Sequence, residues 1–234
     1  VVTSFRRRDI IDHRHSSYVG EIGIAANPKL LPWVQQSDLI IACGLRLGEM
    51  NTIGSGFMIG FSLFDVPVPT QTLIQIHSGL EELNRVYQAD LAILSSPCRM
   101  AVELEQSPAL DATAWEQWTS DARAEYESFT VSESCPEPIL LPEIFLWLRK
   151  RLPADAILTN GAGTYAGWSQ RYFQHYQLHT QLGPISGGMG YGLPAAIAAK
   201  LYRPESVVVA LGGDGCFLMN SEELATAVKY QIPI

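Results

Sequence analysis

Short aliphatic runs alternate with amphipathic stretches along this chain, and the two periods predict strands and helices in turn. In the first half, "SDLIIACG" (37–44) and "QTLIQIHSG" (71–79) read as buried strands ending in glycine or a small polar residue. "NPKLLPWVQQ" (27–36) reads as a helix ahead of the first. "LEELNRVYQA" (80–89) reads as a helix after the second, before a further strand, "LAILSS" (91–96). The second half restarts with a helix, "LPEIFLWLRKRL" (141–152), then a strand, "AILTNG" (156–161). A helix built on "GLPAAIAAKLY" (192–202) follows, then the strand "SVVVALGG" (206–213), whose aliphatic run predicts burial on both faces. "NSEELATAVKY" opens a last helix, with Asn220 or Ser221 as cap and Glu222 and Glu223 in its first turn. This alternation predicts an α/β fold with parallel sheets and helical crossovers.

Between the halves the character changes. Residues 107–137 hold Pro108, Pro136, the Ser/Glu-rich "SESCPEP" (132–138) and one helical stretch, "ATAWEQWTSDARAEYESF" (112–129). They read as a linker carrying a surface helix, with Trp115 and Trp118 as a packing stripe. The expected domains are therefore 1–106, the linker 107–137, and 138–234, the last incomplete because "QIPI" begins a further apolar run. The absence of a starting Met points the same way, to a piece of a longer chain.

Composition narrows the function. A chain 47% hydrophobic and 17% charged has enough apolar material for a core. The net charge of −8 argues against nucleic acid or an anionic membrane as partner. No apolar run approaches the roughly 18–20 residues of a membrane helix, and the N-terminus lacks the order of a signal peptide. Cysteines 43, 98, 135 and 216 form no C-x-x-C pair, the pattern of reduced thiols in a cytoplasmic protein.

The candidate chemistry lies in glycine-rich strand ends of the second half. Gly212, Gly213 and Gly215 bracket Asp214 after an aliphatic strand, and ligands of parallel sheets bind at such carboxyl ends. Glycine lets backbone turn tightly and approach a bulky anion. A carboxylate alone would repel phosphate, but a Mg²⁺ ion can bridge the two. G-D-G by itself is also a common surface turn. "SGGMGYGLPAAIAA" (186–199) packs glycines ahead of an alanine-rich helix, as close approach to a flat ligand or another element requires; Met189 is the one bulky apolar residue within it. "TNGAGTYAGW" (159–168) repeats the theme. Parallel strands would align all three ends along one edge.

Together, "GDG" and the preceding "GGMGYGLPAAIAAK" resemble the diphosphate-binding half of thiamine-diphosphate enzymes of the acetolactate synthase type. Residues 1–106 resemble that family's central domain, so the resemblance implies two Rossmann-like parallel-sheet domains, the second truncated. The family motif continues to an asparagine after the next strand, which places the second metal ligand beyond Ile234. The resemblance implies that Asp214 coordinates Mg²⁺ and that the Gly215 and Cys216 main chain contacts the diphosphate. Ala162, Gly163, Thr164 and Tyr165 would cradle it from the neighbouring strand end. Met189 would wedge beneath the cofactor, with its amide and the Gly187 carbonyl bonded to the aminopyrimidine.

The implied activity is a thiamine-diphosphate- and Mg²⁺-dependent carboligase or decarboxylase acting on 2-oxo acids, in a cytoplasmic homo-oligomer, dimer or tetramer. The catalytic glutamate belongs to an N-terminal domain with no counterpart here, so this chain alone would be inactive. Several residues depart from the family. Cys216 replaces serine, Tyr165 replaces the histidine of acetolactate synthases, and "RLGEMN" (46–51) replaces an Arg-Phe-Asp-Asp run. With His77-Ser78 in place of an acidic residue, these changes argue against FAD.

Two other readings remain. A NAD- or FAD-binding oxidoreductase predicts G-x-G-x-x-G, which "GSGFMIG" (54–60) matches only loosely; a non-catalytic assembly or regulatory module is the other. Elsewhere the residues read blandly. Arg6, Arg7 and Arg8 read as a solvated face or a loop contact to the missing domain, and Glu21 and Glu49 as surface charges more often than as acids lining a cleft. His13 with His15, and His175 with His179, lack further ligands for zinc.

Overall fold

The structure, a computed structural model, describes residues 1–54, 59–132 and 140–234. Most of "GSGFMIG", together with Cys135, Pro136, Pro138 and the expected 137/138 boundary, lies outside the described residues. The chain divides into two compact units, Val1–Phe5 with Val19–Tyr126, and Arg6–Tyr18 with Glu127–Ile234.

In the first unit, helix α1 (Leu30–Gln35) precedes strand β1 (Leu39–Cys43). Strands β2 (Thr72–His77) and β3 (Leu91–Leu94) complete a parallel sheet in the order β1-β2-β3. Leu39 pairs with Thr72, and Ile74 with Leu91. The core forms where Leu31 of α1, Ala42 of β1 and Leu73 of β2 meet Ile22, Leu47, Leu63, Phe64 and Tyr87.

The helix expected over 80–89 is absent. Leu80–Glu82 makes one tight helical turn, and Asn84 then takes a left-handed φ of +57°. The cause is side-chain capture of the backbone. The Gln75 amide on β2 donates to the Glu82 carbonyl at 3.0 Å and accepts from the Asn84 amide at 2.9 Å, while Asn84 Oδ1 accepts from Ala89 N at 2.8 Å. These groups are then lost to a helical ladder. A helix forms later instead, α2 (Pro97–Glu105), with Pro97 in its first turn and Ser96 Oγ accepting from Arg99 N at 3.3 Å. Helix α3 (Glu116–Phe129) stands where predicted, but it is not simply a surface helix. Ala122 and Tyr126 are buried, and the Trp118 ring meets Trp33 edge-on at 4.5 Å, although Trp115 and Trp118 both remain exposed.

The second unit runs α4 (Leu141–Arg151), β4 (Ile157–Asn160), α5 (Tyr165–Tyr172), β5 (Gln181–Leu182), α6 (Gly192–Tyr202), β6 (Val208–Leu211), α7 (Asp214–Leu218) and α8 (Glu223–Lys229). Its strands are parallel in the order β5-β4-β6. All four residues of β4 are buried, and they alternate as a sheet covered on both faces must. Leu158 packs with Phe145, Tyr172 and Phe173, while Ile157 packs with Ala196 and Ala199 of α6 and with Val208. β6, predicted to be buried on both faces, is only partly so. Val208 is buried but Ala210 is exposed, because among the described residues β6 pairs only with β4.

The segment Arg6–Tyr18 corrects the reading of a solvated basic run. Arg7 is exposed, but Arg8 is buried and donates to the Ser169 and Phe173 carbonyls, both at 3.0 Å. The Arg8 amide donates to Gln181 Oε1 at 2.9 Å, and Asp9 Oδ2 accepts from Thr180 N at 3.0 Å. His13 is also buried. Its Nδ1 accepts from the His175 amide at 3.2 Å, which leaves the proton on Nε2 to bond the Arg8 carbonyl at 2.8 Å. Glu21 is buried rather than a surface charge, while Glu49 is exposed. No helix among the described residues is long and apolar enough to cross a membrane.

Candidate functional site

Strand β4 hands over to the turn at Gly161 and then α5, while β6 hands over to Gly212, Gly213 and α7. Because the two strands are paired in parallel, with Asn160 opposite Leu211, their carboxyl ends emerge together. α6 begins at the same rim. A Cβ on Gly192 would sit 3.0 Å from the Leu211 carbonyl and 3.1 Å from the Gly161 nitrogen, so only glycine lets that helix start so close. Thr159 Oγ of β4 fastens the junction by donating to the Gly192 carbonyl at 2.7 Å.

Tyr165 and Cys216 occupy the centre of this rim. Tyr165 Oη accepts from Gly161 N at 2.9 Å and lies 3.4 Å from the Leu211 carbonyl and 3.3 Å from Cys216 Sγ. Cys216 is buried, and its sulfur accepts from Gly190 N at 3.1 Å. The three glycine-rich segments are thus brought together. Burial, then the bond to Cys216, pushes the Tyr165 phenol up to about 12, so it stays protonated across the neutral range.

Much of the glycine content serves this packing. Cβ atoms on Gly163 and Gly213 would each come within 2.9 Å of the Tyr165 ring, and one on Gly161 would overlap Cys216 Sγ. Gly187 differs. Its φ is +73° and its missing Cβ faces open space, within an exposed run from Ile185 to Met189. Met189 is 46% exposed, and its Cε lies 3.7 Å from where a Gly215 Cβ would stand.

Asp214 is exposed at the start of α7, where its Oδ1 accepts from Gly215 N at 2.8 Å. The predicted caps take other positions. The helix at Asp214 follows Gly213 directly, α8 is preceded by Glu222 with no side-chain cap, and Asn220 instead donates to the Gly190 carbonyl at 2.9 Å. That contact, which ties the Met189 loop to the chain beyond α7, had no signal in the sequence.

The donor set suits a diphosphate with a bridging cation. Among the described residues no group of three or more His, Cys, Asp and Glu forms a self-contained metal site. A Mg²⁺ ion needs none, since it takes one or two carboxylates and completes its shell with phosphate oxygens and water. The exposed Asp214 carboxylate, the open backbone at Gly187 and the accessible Met189 side chain leave room for such a group beside the rim.

Residues 161–234 match the thiamine pyrophosphate enzyme C-terminal TPP-binding domain, and residues 1–104 match the thiamine pyrophosphate enzyme central domain. The chain belongs to the thiamine pyrophosphate enzyme family. Within it, the chain is 29% identical to the acetolactate synthase isozyme 2 large subunit of Escherichia coli K12, over 93% of this chain and 37% of that protein. It is 29% identical to an acetolactate synthase of Mycobacterium avium, over 100% of this chain and 37% of that protein. A sulfoacetaldehyde acetyltransferase of Alcaligenes xylosoxydans xylosoxydans is 26% identical, over 100% and 43% respectively. The chain therefore spans 37% to 43% of the length of these relatives. The thiamine-pyrophosphate match covers all three bends at the rim, from Gly161 through Gly187 to Cys216.

Proposed function

We propose that this chain is the central and diphosphate-binding part of a thiamine-diphosphate- and Mg²⁺-dependent enzyme that joins or decarboxylates 2-oxo acids, as an acetolactate synthase-like transferase or lyase. The observation that supports it most directly is the meeting of three glycine-rich segments around Tyr165 and Cys216, with Asp214 exposed beside them. When bound, thiamine diphosphate supplies the electron sink for breaking the bond between the carboxylate and carbonyl carbons of a 2-oxo acid. The residues of this chain bind and orient. Asp214 holds the Mg²⁺. The main chain of Gly215 and Cys216, with the turn of Ala162, Gly163, Thr164 and Tyr165, receives the diphosphate. Met189 supports the cofactor from its apolar side, and the Gly187 carbonyl with the Met189 amide fixes the aminopyrimidine. No residue of this chain is assigned as the catalytic acid or base; that role falls to a glutamate of a further domain, supplied by a partner subunit in a homo-oligomer.

The test is calorimetry on the intact polypeptide with thiamine diphosphate and Mg²⁺. Asp214→Ala should lower the metal-dependent affinity by at least the roughly 10–100-fold that loss of an outer-shell partner costs a metal site. Affinity equal to that of the unmutated protein, with metal present, would defeat the assignment.

A further inference from the structure

The bond pattern at the rim forms one unbroken path. Gly161 N, at the end of β4, donates to Tyr165 Oη; Tyr165 Oη adjoins the Leu211 carbonyl and Cys216 Sγ, at the end of β6; Cys216 Sγ accepts from Gly190 N, in the loop before α6. These residues are remote in sequence, Tyr165 and Cys216 being 51 positions apart and Gly190 and Cys216 26 apart. Two side chains therefore set the spacing of three backbone segments.

We propose that Tyr165 and Cys216 are a pair of positioning residues, whose hydroxyl and thiol lock the three bends into a single cradle and so set its affinity for a metal-bound diphosphate. The inference rests on the reading of the site given above and assigns these side chains a part in it. They act through the main chain they hold. The backbone leaves no slack for them to act otherwise. Gly163 and Gly213 both lie against the Cδ1–Cε1 edge of the Tyr165 ring, and Gly161 and Gly190 close upon the sulfur. If the ring or the sulfur shifts, the turn at Gly163 and the start of α7, which carries Asp214, shift with it. The phenol also stays neutral, raised to about 12, so the lock adds no negative charge beside a polyanion.

Three variants of the intact polypeptide test this, read by calorimetry with thiamine diphosphate and Mg²⁺. Tyr165→Phe keeps the ring against its glycines and removes only the hydroxyl. Cys216→Ala removes the sulfur, and Cys216→Ser restores an acceptor for Gly190 N. Tyr165→Phe and Cys216→Ala should each weaken binding about tenfold, the scale of one lost hydrogen bond. Combined, they should also weaken it about tenfold rather than a hundredfold, because the two act as one unit. Cys216→Ser should return the affinity to within about threefold, which mere filling of space by the sulfur would not produce. Unchanged affinity in Tyr165→Phe, strict additivity in the double variant, or no rescue by serine would each overturn the proposal while leaving the site reading intact. If the unmutated protein binds no thiamine diphosphate, the site reading falls and the proposal with it.

Discussion

At the carboxyl rim of the β1-β2-β3 sheet, Gly44 has a φ of +66° and its missing Cβ lies 2.6 Å from the Pro97 ring at the start of α2. The acid that follows β2, Glu82, sits 3.1 Å from both Arg46 and Arg85. At the rim formed by β4 and β6, glycines likewise make room for neighbouring side chains, here Tyr165 and Cys216. Asp214, however, is exposed, and the partner it accepts from is the adjacent Gly215 amide. Both rims are built of parallel strands and tight glycine turns. What separates them is the fate of the acid, neutralised from within at one rim and held open at the other. Glycine at a strand end reports close packing; the exposed carboxylate beside it is the one proposed above to hold a cation.

The sharpest way to break this comparison is to give each rim a methyl group. Gly161→Ala places a Cβ against Cys216 Sγ and should destabilise the fold by about 1–3 kcal/mol, the usual cost of overpacking. Gly44→Ala should cost a similar amount, because its φ of +66° strains any side chain in addition to the Pro97 contact. The two differ in their cure. Adding Cys216→Ala should recover much of the loss at Gly161, since the opposing sulfur is gone, and none of the loss at Gly44. Urea unfolding of the singles and doubles measures this. Equal recovery in both would mean that Cys216 is not the atom Gly161 accommodates.

The sheets were legible in the strand and helix periods of the sequence. β1, β2, β3, β4 and β6 each fall inside a predicted aliphatic run, as α4 and α6 fall inside apolar-periodic ones. The residues at 80–89 carry a helical pattern but are diverted by Gln75, on the strand before them, and by Asn84, whose side chain bonds Ala89 N, and a helical period shows neither. β5 is two residues long, too short to show a period. The burial of Arg8 was invisible because the groups it bonds lie 161 and 165 residues away. At the candidate site, Asp214 and the glycine clusters were legible from their place after aliphatic strands. The pairing of Tyr165 with Cys216 was not, since nothing local in either segment points to the other.

Acid should distinguish the two units next. His175 is buried against Thr180 Oγ1, 2.9 Å from its Nδ1, with Arg8, His13 and Arg149 around it. Burial first, then the charges of Arg8 and Arg149, hold its pKa well below the usual histidine value. The folded protein therefore keeps His175 neutral while the unfolded chain takes up a proton below about pH 6.5. The stability is complete above that pH and is lost as the pH falls towards the folded pKa, with a slope of up to about 1.4 kcal/mol per pH unit from this one site. Hydrogen exchange followed from pH 7.5 to 5 should show amides of β4 and α5 losing protection ahead of those of β1 and β2. Replacement by His175→Gln should flatten that dependence even if it lowers stability overall. Equal loss in both units would place the acid sensitivity elsewhere.

The smallest effect belongs to the acids themselves. Arg85 and Arg46 have side chains 56% and 63% exposed, while that of Glu82 is 13% exposed. Each arginine forms a largely solvated pair, so Arg85→Ala should cost only about 0.2–1 kcal/mol, and less as salt is added. Removing Arg46 as well should cost more than the sum of the singles, because the first loss leaves Glu82 one partner and the second leaves it none, at a position water reaches poorly. Asp214→Asn makes the contrasting change at the other rim. With no arginine bonded to the acid there, unfolding stability should move by about 0.5 kcal/mol or less. A carboxylate that contributes so little to folding yet governs metal-dependent affinity would carry the difference between the rims. Should Asp214→Asn prove as costly to the ligand-free fold as stripping both arginines from Glu82, the two acids would be alike in kind, and exposure would no longer distinguish a binding rim from a structural one.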